Sequence, residues 1–100
     1  MSYNTSPFAP SYGNGTTVSP GAGSANAAIS IKSQTLCLTN LGTNVCYIKI
    51  TDDATATAST ADYPLPGGAQ VTITKPYDYN RIAHISADGT DLHILPGEGF

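Results

Sequence analysis

Apolar residues in this chain recur with a period of two over short runs, and Gly, Pro, Asn and Asp separate the runs. This alternation is typical of half-buried β-strands. No stretch shows the 3.6-residue period of an amphipathic helix over a helix-length window. Strands are predicted near residues 28–33, 35–40, 45–51, 69–75, 80–86 and 91–95, with room for one more in the polar connection 52–64. The chain is therefore predicted to be all-β, a small antiparallel sandwich or barrel of six to seven strands.

The first 26 residues differ from the rest because they have no periodic apolar set and are rich in Gly, Pro, Ser, Thr and Asn. Alone, such a segment cannot bury enough surface to offset the entropy lost on ordering. It nevertheless contains Tyr3, Phe8 and Tyr12, more aromatic residues than a bare linker needs. We therefore predict an extended N-terminal arm, residues 1–26, that docks these aromatic side chains on another subunit, and a β-sandwich domain, residues 27–100. A disordered tail is the alternative.

Charge argues against a nucleic-acid partner. The formal net charge is −3, and the only basic side chains of the 100 residues are four single Lys and Arg residues, so no basic stripe exists to neutralise a phosphate backbone. No segment approaches the roughly 18 apolar residues of a membrane span, and the first residues lack the basic and apolar regions of a secretory signal. A soluble chain that binds neither nucleic acid nor membranes is expected.

The two cysteines, Cys37 and Cys46, are close enough in sequence to suggest a disulfide. A hairpin formed by residues 35–51 would place Leu38 opposite Cys46 and would turn Cys37 to the other face of the sheet. Cys37 and Cys46 would then point to opposite faces and could not form a disulfide across the hairpin. Free thiols are therefore predicted.

Asp88 and Gly89 stand between two apolar runs, which is a strong signal for a two-residue type I′ hairpin turn. Strand pairing across such a turn puts two histidines side by side. On one face, the predicted cross-strand pairs are His84 with His93 and Ile82 with Leu95. Because the histidines share this face with apolar neighbours, we predict a partly buried contact surface there.

Metal binding is the alternative interpretation of this histidine pair, with Asp91 as the nearest third ligand. Protein metal sites ordinarily need three or four ligands and supporting second-shell groups, so the contact surface is favoured and no metal or cofactor is expected. Glu98 is a lone carboxylate, and the chain has no G-x-S-x-G, P-loop, H-E-x-x-H or Cys-x-x-Cys motif. No catalytic residue is therefore predicted, and the chain is not expected to be an enzyme.

Three elements of residues 33–100 combine turn and packing signals: Leu38 to Gly42, then Ala56 to Gly67 with Asp62, Pro64 and Pro66, and finally Ile85 to Gly99. In these elements the chain resembles small structural proteins of tailed bacteriophages. The resemblance implies a virion protein, most directly a capsid decoration or cement protein that binds the major capsid protein. It would be made in the host cytoplasm and carried on the outer capsid surface. A place at the head-tail junction or in the tail is an alternative, and no role extends to the cysteines.

Two further hypotheses stay open. The aromatic residues Tyr47, Tyr63, Tyr77 and Tyr79 are able to stack on sugars, as a carbohydrate-binding β-module requires. Apolar side chains on the predicted outer faces also exceed what a solvated monomer needs, which favours self-association, with a homotrimer as the expected closed form. The predicted capsid and subunit contacts are Tyr3, Phe8, Tyr12, Ile82, His84, His93 and Leu95.

Overall fold

The structure is a computed structural model that describes residues 9–98. This part of the chain contains nine strands and no helix, and therefore no helix able to cross a membrane. The strands are β1 (Ala9–Pro10), β2 (Thr16–Val18), β3 (Ala25–Ala28), β4 (Thr35–Asn40), β5 (Cys46–Thr51), β6 (Tyr63–Leu65), β7 (Gln70–Thr74), β8 (Arg81–Ile85) and β9 (Leu92–Glu98). The all-β prediction is confirmed.

The strands form two antiparallel sheets that pack face to face as a β-sandwich. In the five-stranded sheet, β1 and β2 both pair with β9, which is followed by β4 and then by β7 at the opposite edge. The four-stranded sheet has the order β3-β8-β5-β6. There are more strands than predicted because the N-terminal segment adds short edge strands. The polar connection 52–64 also leads into β6, where room for one more strand was expected.

Among the nine strands of residues 9–98, β5 and β6 are the only two that follow each other in the chain and also pair in a sheet. Each of the two predicted hairpins is therefore wrong: β4 and β5 lie in different sheets, as do β8 and β9. In the predicted hairpin between β8 and β9, a type I′ turn would require a positive φ at both Asp88 and Gly89. Gly89 has a φ of 81°, but no non-glycine residue of the described part has a positive φ, so Asp88 does not meet the requirement. The chain instead turns through Ser86–Gly89 and crosses to the other sheet.

The core lies between the two sheets and is formed by alternate residues of each strand, as the period of two requires. Leu36 and Leu38 point inward from β4, and Leu92 and Ile94 do so from β9. The four-stranded sheet contributes Cys46, Ile48, Leu65 and Ile82. Each of these residues is at most 2% exposed.

Residues 9–26 of the predicted arm run along the sheet edges. Ala9 pairs with Glu98 and Thr17 pairs with His93 on one sheet, while Asn26 pairs with Ala83 on the other. Residues 1–8, which include Tyr3 and Phe8, lie outside the described residues. The arm's predicted contact with a neighbouring subunit stays a prediction.

Two strands differ from the prediction by more than one residue. The strand predicted at 28–33 does not form, because β3 covers Ala25–Ala28 and shares only Ala28 with it; Ile29 follows the strand and still reaches the core at 4% exposure. β9 continues past Leu95 to Glu98 although Pro96 has no N–H. The backbone of Pro96 faces the N-terminal segment, because its carbonyl accepts a 3.0 Å hydrogen bond from Ser11 N. The N–H that proline lacks would therefore point away from β4, and the pairing between β9 and β4 continues past Pro96.

Candidate functional site

The two histidines lie in different sheets. His84, on β8, pairs with Ile48 of the four-stranded sheet, whereas His93, on β9, pairs with Thr39 of the five-stranded sheet. They are therefore not cross-strand neighbours, and the predicted pair is wrong. The prediction failed because it assumed that β8 and β9 belong to one sheet, in which alternate side chains of both strands would share faces.

His84 points into the interior and is 3% exposed. Its Nδ1 is buried and has no hydrogen-bond partner among the described residues. Burial disfavours the charged imidazolium and lowers the pKa of His84. Ile82, two residues earlier on the same face, is fully buried in the core, so its predicted place on an outer face is also wrong.

His93 and Leu95 lie half-buried on the outer face of the five-stranded sheet, as predicted. His93 Nδ1 is 3.2 Å from the hydroxyl of Thr17, and Gly15 packs against the imidazole ring. The segment between β1 and β2 therefore lies over His93. Of the predicted aromatic contacts, Tyr12 lies in this segment, and 84% of it is exposed.

The ligand set considered for a metal does not form. Asp91, the nearest third ligand in sequence, accepts a 2.9 Å hydrogen bond from the Ser19 hydroxyl. Within residues 9–98, no group of three His, Cys, Asp or Glu side chains is placed to hold a metal ion.

The thiols of Cys37 and Cys46 are free, as predicted, but the hairpin on which that prediction rested does not exist. Cys37 is half-buried on β4, opposite Thr72 of β7. Cys46 lies on β5 in the core, and burial raises the pKa of its thiol. Separation into two sheets keeps the two sulfur atoms apart.

A cleft of about 320 Å³ opens between the two sheets, beside the edge strands β6 and β7. Three isoleucines line its inner part, and two half-exposed tyrosines and a proline lie around it. The lining residues are Ile48, Ile50, Tyr63, Ile73, Thr74, Lys75, Pro76 and Tyr79. Alternation along β5 and β7 places the isoleucines on the core side, where the edges of the two sheets leave them partly uncovered.

Lys75 stands in the wall of the cleft but is not available to a ligand. The residue is 5% exposed, and its ammonium donates to three backbone carbonyls, those of Ser33 at 2.5 Å, Pro76 at 3.4 Å and Tyr77 at 3.5 Å. Burial lowers the pKa of Lys75. The side chain therefore ties the start of the 75–80 connection to the segment before β4.

Besides Lys75, three lining residues have polar side chains: Tyr63, Tyr79 and Thr74, and Thr74 lies on the outer face of β7, away from Ile73. A sugar ring needs several hydrogen bonds to fixed polar groups in addition to aromatic stacking. An apolar or aromatic side chain of a protein partner needs only shape and apolar contact. The composition of the cleft thus fits a protein ligand better than a carbohydrate.

A second exposed apolar group lies in the connection between β4 and β5, where Leu41 is 59% and Val45 is 38% exposed. The conformation of this connection depends on Asn40, a buried residue that the sequence analysis did not identify. The Asn40 side-chain amide donates to Asn44 O at 2.8 Å and Leu65 O at 2.9 Å, and its oxygen accepts from Gly42 N and the Thr90 hydroxyl. An Asn just before a Gly-containing connection is the sequence signal that was available.

Comparisons with protein-family models, curated proteins and solved structures found no match to this chain.

Proposed function

We propose that this chain is a non-enzymatic structural protein of a tailed bacteriophage particle, most directly a decoration protein that binds the major capsid protein on the outer capsid surface. The resemblance of residues 33–100 to such proteins supports the proposal. The structural observation that carries it is the apolar, tyrosine-lined cleft at the β6 and β7 edges, which suits an apolar side chain of a protein partner.

Exposed apolar residues at opposite ends of the sandwich support a bridging role. Tyr79 lies at the cleft, in the connection after β7, while Leu41 is exposed in the connection after β4. Register separates the two residues, because β7 begins opposite Thr39, next to Leu41, and ends opposite Thr35. A protein that contacts two neighbouring capsomers needs surfaces of this kind.

Binding to capsids assembled from the major capsid protein tests the proposal. Tyr63→Ala combined with Tyr79→Ala should reduce capsid-bound protein at least ten-fold in a sedimentation assay, because both rings line the cleft. Tyr77→Ala is the matched control, since Tyr77 is a 51% exposed tyrosine that does not line the cleft. Equal binding by the double variant and the wild type would contradict the assignment of the cleft.

A head-tail or tail position is the alternative function within the same particle. Copy number separates the two, because a decoration protein is present in hundreds of copies per virion and a junction component in about a dozen. Quantitative gel analysis of purified virions provides that count. Glycan-array binding by the isolated chain would favour the carbohydrate-binding hypothesis over both.

The expected homotrimer stays a prediction, but part of its basis has changed. It relied on apolar residues of predicted outer faces, namely Ile82 and Leu95 beside the histidines and Val45 with Tyr47. Ile82 and His84 are in the core, whereas Leu95 is half-buried on the outer face and Val45 is 38% exposed.

A further inference from the structure

Strand β7 forms an open edge of the five-stranded sheet, because β4 is the only strand of the described chain that pairs with it. Two hydrogen bonds show which backbone groups face β4: Lys75 N donates to Gln34 O at 2.8 Å, and Asn40 N donates to Ala69 O at 2.9 Å. In an antiparallel ladder, successive residues point their N–H and C=O groups to alternate sides. The groups of Gln70, Thr72 and Thr74 therefore point to the open side.

The other sheet edges in residues 9–98 are protected against strand addition. β1 has two residues and includes Pro10, β2 has three residues, and β6 includes Pro64. β3 lies under the connection 52–62, whose backbone carbonyls accept hydrogen bonds from Asn26. β7, in contrast, has five residues with no proline, glycine or charge, which makes it an edge that readily pairs with another strand.

The sequence of β7, Gln-Val-Thr-Ile-Thr, is complementary to itself in antiparallel register about its central residue. In that register Thr72 faces Thr72 of a second copy, and Val71 faces Ile73. Gln70 then faces Thr74. Apolar residues thus meet on the core side and polar residues meet on the outer side, so the pairing preserves both faces of the sheet.

We propose that β7 pairs antiparallel with β7 of a second copy of this chain, about a two-fold axis through Thr72, and so joins two five-stranded sheets into one. Three residue pairs exchange about six backbone hydrogen bonds in this arrangement. A two-fold contact produces a dimer, in place of the trimer predicted from the sequence.

The apolar residues of β7 favour the same contact. Val71 and Ile73 are only partly buried although they pack against the core. Val71 of the second copy would lie opposite Ile73, and the two side chains would bury apolar surface at the β7 edge. No charged residue lies in β7, so the two-fold axis brings no like charges together. This pairing does not depend on the proposed capsid function.

Sedimentation velocity on the full chain, over about 10–500 µM, tests the proposal. The wild type should shift from monomer to dimer as its concentration rises. Thr72→Lys should weaken dimerisation at least ten-fold, because the two ammonium groups would meet at the axis. Thr57→Lys is the matched control, since it adds the same charge at an exposed threonine in the 52–62 connection. A wild type that stays monomeric, a trimer, or an undiminished Thr72→Lys dimer would overturn the proposal.

Disulfide trapping identifies the register directly. Cα atoms of directly opposed, hydrogen-bonded residues lie about 5.5 Å apart, within the span of a disulfide. Thr72→Cys should therefore form a covalent dimer on mild oxidation. The experiment needs a Cys37→Ser background, because Cys37 lies opposite Thr72 within the same chain. Thr57→Cys in the same background is the control and should stay uncrosslinked, whereas equal crosslinking at both positions would contradict the register.

Discussion

At the scale of single residues, the buried polar side chains have the clearest consequences. His84 and Asn40 are both in the interior, but they differ in how their polar atoms are satisfied. His84 Nδ1 has no partner in the described part of the chain, whereas the Asn40 amide donates to a backbone carbonyl of the β4–β5 connection and to one of β6. His84 should therefore make the stability of the protein sensitive to acid, and Asn40 should stabilise the folded state.

His84 should destabilise the protein as pH falls. Burial lowers its pKa in the folded state, below the ordinary value of about 6.5 that applies to the unfolded chain. The unfolded state then binds more protons as pH drops through about 6.5, so the free energy of unfolding decreases until the folded-state pKa is passed. The slope for one proton is at most about 1.4 kcal/mol per pH unit.

Urea unfolding of the wild type and of His84→Leu, at several pH values from 8 to 5, measures this effect. His84→Leu should flatten the profile because it removes the buried titrating group. His93→Gln is the matched control, since it replaces the other histidine without removing a core side chain. Parallel profiles for the wild type and His84→Leu would show that another group is responsible.

Asn40→Ala should lower the free energy of unfolding by about 3 kcal/mol, because it leaves buried carbonyls such as Leu65 O without a donor. Asn44→Ala provides the comparison, since the Asn44 amide donates to Gly89 O at a partly exposed site. A loss of about 1 kcal/mol is expected there. Equal losses in urea unfolding would mean that the Asn40 interactions are no more stabilising than an ordinary surface hydrogen bond.

At the scale of elements, the connections between strands determine how the two sheets fit together. The β6–β7 turn, 66–69, approaches the β4–β5 connection so closely that a Cβ on Gly67 would collide with the backbone of Thr43. The constraint is steric and not conformational, because Gly67 does not have a positive φ. Close contact between these two connections therefore requires glycine.

Gly67→Ala should cost about 2 kcal/mol of stability, since the backbone of Thr43 would have to move. Gly23→Ala is the matched control: a Cβ there meets nothing within 4 Å, and Gly23 also has no positive φ. Its effect should stay within about 0.5 kcal/mol. Thermal or urea unfolding compares the two variants, and similar stabilities would show that the connections separate easily.

At the scale of the whole molecule, the N-terminal segment has one part that belongs to the fold and another that is predicted to attach the protein to the capsid. Residues from Ala9 onward belong to the sandwich edges, and Val18 and Ala27 pack against the core. Removing the entire predicted arm would therefore remove β1, β2 and part of β3. A shorter deletion separates the predicted docking role of Tyr3 and Phe8 from the stability of the fold.

Deletion of residues 2–8 should weaken binding to capsids, because it removes two predicted aromatic anchors. The unfolding midpoint, measured in parallel, shows whether the sandwich keeps its stability. Tyr3→Ala combined with Phe8→Ala should reproduce most of the loss in the same sedimentation assay. Ser2→Ala combined with Ser6→Ala is the control for changes within the segment. Full-strength binding by the truncated chain would assign attachment to the sandwich alone.

Several features followed from the sequence by itself. Apolar residues at alternate positions, Leu36 and Leu38 on β4 and Leu92 and Ile94 on β9, indicated both strands, and these residues are buried in the core. These are local properties, because the period of two and the turn residues between runs depend only on nearby side chains and backbone conformation. The all-β class could be predicted for the same reason.

Only the tertiary structure decided which strands pair. β8 has apolar residues on both faces, Ile82 on one and Ala83 with Ile85 on the other, so its pattern does not say which face is buried. Which face of β8 is buried depends on the sheet that contains the strand. β8 lies between β3 and β5 in the four-stranded sheet, and Ile82 and His84 are on the face of that sheet that packs against the core. β9 lies in the other sheet, where His93 is on the outer face. Strand partners are set by long-range burial of two apolar sheet faces against each other, and no local signal at Asp88 and Gly89 encodes that arrangement.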